Sequence, residues 1–406
     1  MSKVFVFSIP ASGHVNPTLP LVKALVDLGE HVVYYCSDTF SDRIRNTGAE
    51  FRTLGTRHDT RVSDMPKNVF SIFRLGIEGS REVTPRVVRE IERDKPDYVI
   101  CDLMPVFGRV IRKTLKIPTV VSVPVFVLSD GMLRHLPLRL RAGLGLMAVS
   151  APVDLLRFAR AARWFQKRFG LKWSDLLSLD ECYSEFNIVY TSTFFQSLPV
   201  PAGKHFQFIG PTIYADRESR DDLLNLPDHR KVLYISLGTA FGRRPLFYRL
   251  CFQAFGSTDL HVVLSVGSRI DPGDLGPIPT NFTVRSHVPQ LHVLKNAAAF
   301  ITHGGMNSTA EALMYNVPLV VFPQAVDQFL VALRIEELGA GIRLIDVTVP
   351  SLRRAVNRVM TETTFKHQAE IIADSFRRSG GAEAGARAIL DAVGGQYFRH
   401  RGSGAR

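Results

Sequence analysis

Short apolar runs, each about the length of one buried strand, alternate with segments of helical periodicity along most of the chain. Behind the first run, apolar side chains repeat at helical spacing between Asn16 and Gly29. We predict that Asn16 caps this helix, that Pro17 takes its first position and that Gly29 ends it. Strands that alternate with helices form parallel sheets covered on both faces. The predicted strands occupy residues 3–9, 31–36, 97–102, 119–123, 231–238, 261–265, 282–285, 298–302 and 318–322.

The alternation stops once and then restarts, which predicts two domains. The break coincides with Pro211–His229, a charged stretch interrupted by proline and interpreted as a linker. A chain of 406 residues is long enough for two cores. The pattern predicts an α/β fold with two Rossmann-like, doubly wound parallel-sheet domains that face each other across a cleft. The predicted boundaries are 1–210 for the first domain, 211–229 for the linker, 230–374 for the second domain, 375–395 for a C-terminal helix interrupted near Gly380-Gly381, and 396–406 for a disordered basic tail.

The composition narrows the class of protein. Hydrophobic residues make up 46% of the chain and charged residues 22%, so it can build packed cores and is not a disordered protein. We find no signal peptide, and no apolar stretch approaches the roughly 20 residues of a membrane helix. The four cysteines lie in apolar surroundings without CxxC pairing, and we expect reduced core thiols in a cytoplasmic protein. They are Cys36, Cys101, Cys182 and Cys251.

The net charge of +12 is compatible with three kinds of partner: nucleic acid, an anionic membrane surface or a small anionic substrate. The sequence has no basic strand with interleaved aromatic residues and no zinc-finger spacing, which argues against nucleic acid. One basic cluster spans residues 134–172 and includes Arg157–Arg168, which has the pattern of an amphipathic helix. We interpret this helix as a solvated face over core, with contact to a membrane as the alternative.

A stretch that suits phosphate follows the predicted strand 298–302 and reads Thr302-His-Gly-Gly-Met-Asn-Ser-Thr309. Glycines let the backbone approach a ligand closely, and the following helix presents free N–H groups and the positive end of its dipole. The alternative is a glycine turn followed by a capping box, because Ser308 and Glu311 fit the S-x-x-E pattern. A second glycine loop, Ser236–Gly242, also follows a strand. Two such loops in one domain favour a nucleotide diphosphate.

The segment Arg285–Gln328 resembles the donor-binding signature of UDP-dependent glycosyltransferases of the GT-B fold, in particular the bacterial macrolide-type branch that acts on natural products. The Gly13–Pro17 stretch resembles the first loop of the same family, and the resemblance extends over essentially the whole chain. The matching donor residues, in order, are Val288-Pro289-Gln290, Leu294, His303-Gly304-Gly305, Asn307-Ser308, Glu311, Val317-Pro318, Pro323 and Asp327-Gln328.

The resemblance implies a role for each matching donor residue. Gln290 and Glu311 would bind the ribose hydroxyls, the backbone of Val288 would meet the uracil edge, and His287 takes the place of the family's usual stacking Trp or Phe. Because imidazole is smaller, the choice between UDP and dTDP stays open. Asp327 and Gln328 would hold the sugar, with an N-cap as the alternative role for Asp327. The implied diphosphate residues are Gly238, Thr239, His303, Gly304, Gly305, Asn307, Ser308 and Thr309.

Inverting sugar transfer needs a base for the acceptor hydroxyl, and His14 follows the first strand. Asp102 ends a strand of the same predicted sheet, and in the family such an Asp orients such a His. The alternative role for His14 is a structural hydrogen bond. The chain contains no Asp-x-Asp motif and no cluster of zinc ligands, so we expect neither a metal nor a cofactor, only the co-substrate UDP-sugar.

The sequence therefore predicts an inverting enzyme that moves a sugar, with glucose favoured, from UDP-sugar to a hydroxyl of a small, largely apolar natural product. The N-terminal domain would bind this acceptor, with segments 65–77 and 126–147 either lining its pocket or forming ordinary core. The resemblance also implies that segment 375–395 packs back on the first domain. Three alternatives remain: a sugar-nucleotide epimerase of the same fold, a non-catalytic auxiliary partner, and a membrane-associated lipid glycosyltransferase. The oligomeric state stays open.

Overall fold

The computed structural model describes residues 1–55, 69–131, 152–196, 198–214, 223–238 and 244–398. The chain divides into two compact units. One comprises Met1–Thr212 together with Ser379–Arg406, and the other comprises Ile213–Arg378. Parts of several predictions lie outside the described residues: Thr239, residues 399–406 of the basic tail, residues 215–222 of the linker, and residues 65–68 and 132–147 of the two proposed acceptor segments.

The first unit is built on one parallel sheet. Its strands are β1 (Lys3–Phe7), β2 (His31–Cys36), β3 (Glu50–Thr53), β4 (Tyr98–Asp102), β5 (Thr119–Val123), β6 (Phe186–Val189) and β7 (His205–Phe208). Their order across the sheet, for the part of the chain that the structure describes, is β3-β2-β1-β4-β5-β6-β7. The helices are α1 (Ser12–Asp27), α2 (Ser41–Arg45), α3 (Val69–Asp94), α4 (Val106–Val110), α5 (Pro152–Phe169) and α6 (Trp173–Leu177).

The second unit repeats this architecture. Its strands are β8 (Val232–Ser236), β9 (His261–Ser265), β10 (Phe282–Arg285), β11 (Ala297–Thr302), β12 (Leu319–Val321) and β13 (Gly341–Arg343). Within the described ranges they lie in the order β10-β9-β8-β11-β12-β13, and every pair is parallel. The helices are α7 (Pro245–Phe255), α8 (Gln290–Asn296), α9 (Met306–Met314), α10 (Val326–Glu337), α11 (Val349–Thr361) and α12 (Thr363–Arg377).

The end of the chain returns to the first unit through helix α13 (Gly381–Asp391), which packs against α1. Gly380 and Gly381 adopt φ angles of +91° and +67°, which glycine tolerates and which separate α13 from α12. Gly385 allows the close approach, since a Cβ there would lie 3.0 Å from Cδ1 of Ile209 and 3.2 Å from Cδ1 of Leu21.

The predicted start of α1 is wrong. The helix begins at Ser12, with Pro17 and Pro20 inside it, so His14 lies in its first turn and Asn16 is not the N-cap. Proline inside a helix removes a backbone donor. The helix nevertheless continues, because it buries a full apolar face against the sheet, and Gly29 ends it in the left-handed conformation, as predicted. The residues that form this face are Val15, Leu19, Leu21, Val22, Ala24 and Leu25.

The strand order of each sheet reverses direction at one place. In the first sheet the reversal lies between β1 and β4, and in the second between β8 and β11. The chain leaves these neighbouring strands in opposite directions, which opens a crevice beyond their carboxyl ends where ligands of such sheets bind. The residues that follow these four strands are therefore placed for binding or catalysis.

The cysteines lie mostly in the core. Cys36, Cys101 and Cys251 are buried as predicted, Cys182 is partly exposed, and none of the four cysteines forms a disulfide bond. Burial raises the pKa of Cys101 and of Cys251 well above the ordinary value, so both stay protonated. Among the described residues, no helix has the length and apolar character of a membrane span.

Candidate active site

A His–Asp pair lies at the reversal point of the first sheet. His14 sits in the first turn of α1, just after β1, and Asp102 is the last residue of β4, the neighbouring strand. Nδ1 of His14 is 2.6 Å from Oδ2 of Asp102. The side chain of Asp102 is only 2% exposed, whereas that of His14 is 18% exposed, so a ligand in solvent can reach the imidazole and not the carboxylate.

The carboxylate of Asp102 is itself oriented by the backbone. Its second oxygen, Oδ1, accepts a hydrogen bond of 2.9 Å from the N–H of Met104. A carboxylate held in this way at Nδ1 of a histidine fixes the tautomer with the proton on Nδ1 and a lone pair on Nε2. The pair therefore has the arrangement of a general base and its orienting acid.

Two further hydroxyls lie near the carboxylate, and sequence reasoning missed both. Ser122 is paired with Asp102 across β4 and β5, and its Oγ donates to the hydroxyl of Tyr190 at 3.1 Å. Burial raises the pKa of Tyr190 well above its ordinary value, and the negative charge of Asp102 adds to the shift. Tyr190 thus remains a neutral phenol. The signal was present in the sequence, because Ser122 is the polar residue of an otherwise apolar, fully buried stretch from Val120 to Val123.

The predicted phosphate loop connects β11 to α9 at the reversal point of the second sheet. Gly304 has φ of +82°, and a Cβ there would lie 2.7 Å from Cγ1 of Val321, so this position requires glycine for two reasons. Helix α9 begins immediately afterwards at Met306, with Gly305 as its N-cap. The first turn of α9 therefore presents backbone N–H groups and a positive dipole end beside His303.

The imidazole of His303 is packed between two glycines. A Cβ added at Gly238 would lie 2.6 Å from its Cε1, and one added at Gly305 would lie 2.4 Å from its Nε2. The residue as a whole keeps some exposure, but Nδ1 is buried and has no hydrogen-bond partner among the described residues. The two glycine loops of the sequence analysis thus both adjoin the Nε2–Cε1 edge of one ring.

Burial lowers the pKa of His303 to about 4, although the nearby backbone of Ser236 offsets part of the effect. The ring is therefore neutral near pH 7. A neutral imidazole can still donate one hydrogen bond to a phosphate oxygen, but it adds no full positive charge. Any electrostatic attraction of this loop for an anion would therefore come from the backbone dipoles rather than from this ring.

The remaining predicted phosphate residues belong to α9. Asn307 and Ser308 lie in its first turn and are partly exposed, whereas Thr309 is fully buried, and its Oγ1 has no partner within the described ranges. The capping-box alternative for Ser308 and Glu311 is wrong, since both residues lie inside the helix and Gly305 is its N-cap.

Glu311 instead takes part in a polar cluster with the first residue of α8. Nε2 of Gln290 donates to Oε2 of Glu311 at 2.6 Å and to Oγ of Ser308 at 3.3 Å. Oε1 of Gln290 accepts from the hydroxyl of Tyr234 at 3.1 Å, a contact that the sequence did not reveal because Tyr234 lies inside the apolar strand β8. Glu311 is 5% exposed, so its carboxylate is largely withdrawn from water and available to hydroxyl donors.

The two residues before this cluster differ in exposure. His287 is exposed and Val288 is 2% exposed. An exposed ring can offer a face to a base, and a buried valine can offer only its backbone. Both facts agree with the roles that the sequence analysis assigns, and the roles themselves stay predictions.

The predicted sugar-binding residues lie at the start of α10. Asp327 is exposed, and it is not the N-cap, because that position belongs to Ala325. Gln328 is 4% exposed, and its Oε1 accepts hydrogen bonds from the backbone N–H groups of Gln324 at 2.8 Å and of Ala325 at 3.1 Å. Gln328 therefore stabilises the helix start, and its amide nitrogen is the group that a contact to sugar would use.

Comparisons with known proteins agree with this geometry. Residues 249–380 match the family model for the C-terminal domain of erythromycin biosynthesis protein CIII-like proteins, a stretch that holds the predicted donor residues from His287 to Gln328. NDP-glycosyltransferase YjiC of Bacillus subtilis is 33% identical over 400 residues, which is 95% of this chain and 96% of that protein. The chain belongs to this family of nucleotide-sugar glycosyltransferases.

Further matches place this glycosyltransferase among whole-chain relatives. The uncharacterized UDP-glucosyltransferase YojK of Bacillus subtilis is 30% identical over 97% of this chain and 98% of its own length. The crystal structure of the glycotransferase of kitacinnamycin superposes with a TM-score of 0.82 at 27% identity and covers 96% of this chain and 98% of the other. The GT-B fold and the macrolide-type branch predicted from the sequence are thereby confirmed.

Proposed function

We propose that this glycosyltransferase transfers glucose from UDP-glucose to a hydroxyl of a small, largely apolar natural product, with inversion at the anomeric carbon. The observation that carries the proposal is the 2.6 Å contact between Nδ1 of His14 and Oδ2 of Asp102 at the carboxyl end of the first sheet. Glucose is supported by the name of the relative YojK, a UDP-glucosyltransferase. The acceptor class is supported by the antibiotic pathways named for the matching family and for the kitacinnamycin enzyme.

In this mechanism Nε2 of His14 accepts the proton of the acceptor hydroxyl as its oxygen attacks the anomeric carbon. The new carbon–oxygen bond forms while the bond from that carbon to the β-phosphate oxygen breaks, and UDP departs with the electron pair. Asp102 stabilises the imidazolium through the Nδ1 hydrogen bond and remains ionised. Positioned proton transfer of this kind contributes about 10²–10⁴-fold to a rate.

The departing diphosphate gains negative charge, which we propose is stabilised in the second unit. Backbone N–H groups of Gly305 and of the first turn of α9 would point at its oxygens, and neutral His303 would donate one hydrogen bond. Fixed dipoles need no reorganisation when the charge develops, so we propose that the reaction proceeds without a metal ion. Gln290 and Glu311 would bind the ribose hydroxyls, and Asp327 with the amide nitrogen of Gln328 would bind the sugar.

A donor-by-acceptor screen by mass spectrometry tests the substrate assignment, with UDP-glucose, UDP-N-acetylglucosamine and dTDP-glucose offered to macrolide and flavonoid acceptors. We expect transfer from UDP-glucose, unchanged by EDTA, and NMR of the product should show a β-glycoside from the α-linked donor. Consumption of donor without any acceptor alcohol would instead indicate an epimerase or a hydrolase. A retained α-configuration would exclude the single displacement that His14 is proposed to assist.

A further inference from the structure

Helix α5 of the first unit exposes a continuous basic face that the transfer reaction does not use. It packs on α3 through a buried face formed by Phe158, Ala161, Ala162 and Phe165. The opposite face carries residues spaced alternately three and four apart, which places them in one line along the helix. These residues are Val153, Leu156, Arg160, Arg163 and Lys167, and all five are exposed.

The charge of this face is not balanced locally. The helix contains five cations from Arg157 to Arg168 and one carboxylate, that of Asp154, which forms an ion pair with Arg74 at 3.0 Å. Within the part of the chain that the structure describes, no ion pair joins Arg160, Arg163 or Lys167 to a carboxylate. A solvated face of an ordinary helix usually mixes both signs, which lowers the field that it projects.

The N-terminal end of the same helix exposes large apolar side chains. Leu156 is 67% exposed, Val153 59% and Leu155 46%. Helix α6 also exposes apolar side chains, but the ring of Trp173 adjoins Phe158 of the buried face of α5, so α6 is not counted with this end of the helix. We call the exposed side chains of Val153, Leu155 and Leu156 together with Arg160, Arg163 and Lys167, which no carboxylate of the described residues pairs, the α5 face.

We propose that the α5 face docks on a membrane surface that carries anionic lipid headgroups. The cations would lie at the level of the phosphates, and Val153 and the two leucines would enter the boundary between headgroups and acyl chains. Charge complementarity selects an anionic surface. The exposed leucines favour lipid over a nucleic acid, since a phosphodiester backbone offers them no apolar surface to bury.

Docking through the cations and exposed apolar side chains of the α5 face would be peripheral and reversible. Each basic residue near an anionic leaflet strengthens binding about fivefold, and the effect decays within a Debye length of about 10 Å at 0.1 M salt. The acceptors proposed above are apolar and partition into lipid, so an enzyme held at the bilayer would meet them at higher concentration. The docking itself does not depend on that assignment and is tested without any substrate.

The test is sedimentation of the full chain with vesicles of phosphatidylcholine, with and without one third phosphatidylglycerol. We expect binding to the anionic vesicles only, and its loss in 1 M salt, where the Debye length is about 3 Å. The double variant Arg160→Gln/Arg163→Gln should bind about 25-fold more weakly. The double variant Arg354→Gln/Lys366→Gln is the matched control, since it removes the same charge from exposed positions of the second unit.

The apolar part is tested with Leu156→Gln, which keeps every charge and should weaken vesicle binding several-fold. Equal losses of vesicle binding in the Arg160/Arg163 variant and in its control would overturn the proposal, because they would show that binding depends on net charge alone. Polyuridylate that binds wild type as tightly as vesicles do, with no effect of Leu156→Gln, would identify a polyanion site instead. Melting curves confirm that each variant is folded.

Discussion

Nδ1 of His14 lies 2.6 Å from Oδ2 of Asp102, although 88 positions separate the two residues in the chain. The sheet creates this contact, because β1 and β4 are neighbours and both residues follow or end those strands at the same edge. The proximity of the pair is a finding, and its role as the catalytic base is the proposal from which the first prediction follows.

Asp102→Asn should lower kcat by at least about 100-fold, because an amide cannot stabilise the imidazolium that forms on His14. His14→Ala should have an effect of similar size, and the double variant should be little worse than either, since the two residues act as a unit. Calorimetry should show UDP binding close to wild type in all three. His31→Ala, at an exposed histidine of β2, is the control and should keep full activity. Near-normal turnover of His14→Ala would exclude this base.

Gly305→Ala should weaken donor binding by about tenfold or more, since its Cβ would lie 2.4 Å from Nε2 of His303 and must displace the ring. Gly79→Ala is the matched control, as it lies inside α3 with nothing within 4 Å of the added carbon. That control should raise the free energy of unfolding by about 0.5–1 kcal/mol and leave the donor KM unchanged. An unchanged donor KM in Gly305→Ala would show that donor binding does not depend on the present position of the His303 ring.

The stability of the second unit should fall in mild acid because of His303. Its folded pKa is about 4 and its ordinary value is 6.5, so the unfolded chain takes up the proton first as the pH drops. The contribution of neutral His303 to the free energy of unfolding is complete above pH 6.5 and is lost progressively towards pH 4. It is on the order of 2 kcal/mol after allowance for partial exposure. Urea unfolding of wild type and His303→Gln across this range checks it. The two curves should converge as the pH falls, and parallel curves would contradict the prediction.

Glu311→Gln should raise the KM for the UDP-sugar about tenfold with little change in kcat, because a charged acceptor of the proposed ribose hydroxyls becomes a neutral one. Its hydrogen bond to Gln290 can still form through the amide oxygen, so the fold should persist. Glu336→Gln, at an exposed carboxylate paired with Arg343, is the control and should leave the donor KM unaltered. A fall in kcat without a change in KM would assign Glu311 to a different step.

Asp327→Ala and Gln328→Ala should separate sugar binding from helix stability. Gln328→Ala removes two hydrogen bonds to the backbone at the start of α10 and should lower the free energy of unfolding by about 1–2 kcal/mol as well as activity. Asp327→Ala lies at an exposed position and should reduce turnover with UDP-glucose while stability stays within about 0.5 kcal/mol of wild type. Equal losses of stability in both variants would argue that neither residue has a separate role in binding.

The strands were the most predictable part of the fold. The predicted bounds 31–36, 119–123, 261–265 and 282–285 agree with the structure, and the others are longer or shorter by one to three residues. Buried parallel strands are nearly continuous apolar runs, so local composition marks them well. Helix starts were harder, because α1 contains two prolines that local preferences place at a boundary, whereas packing of its apolar face decides the matter.

The sequence alone determined the alternation of strands and helices, the two domains and the residue types that suit an anion and a general base, because periodicity and glycine placement are local properties. It could not determine that Gly238 and Gly305 adjoin the same imidazole, that Tyr234 donates a hydrogen bond to Gln290, or that Ser122, paired with Asp102 across two strands, donates one to Tyr190. The Ser308–Glu311 pattern fits a capping box locally, but in the structure the Glu311 carboxylate accepts a hydrogen bond from Gln290. Tertiary structure decided these points, because strand order joins residues far apart in the chain, and burial then sets which polar groups pair and which pKa values shift.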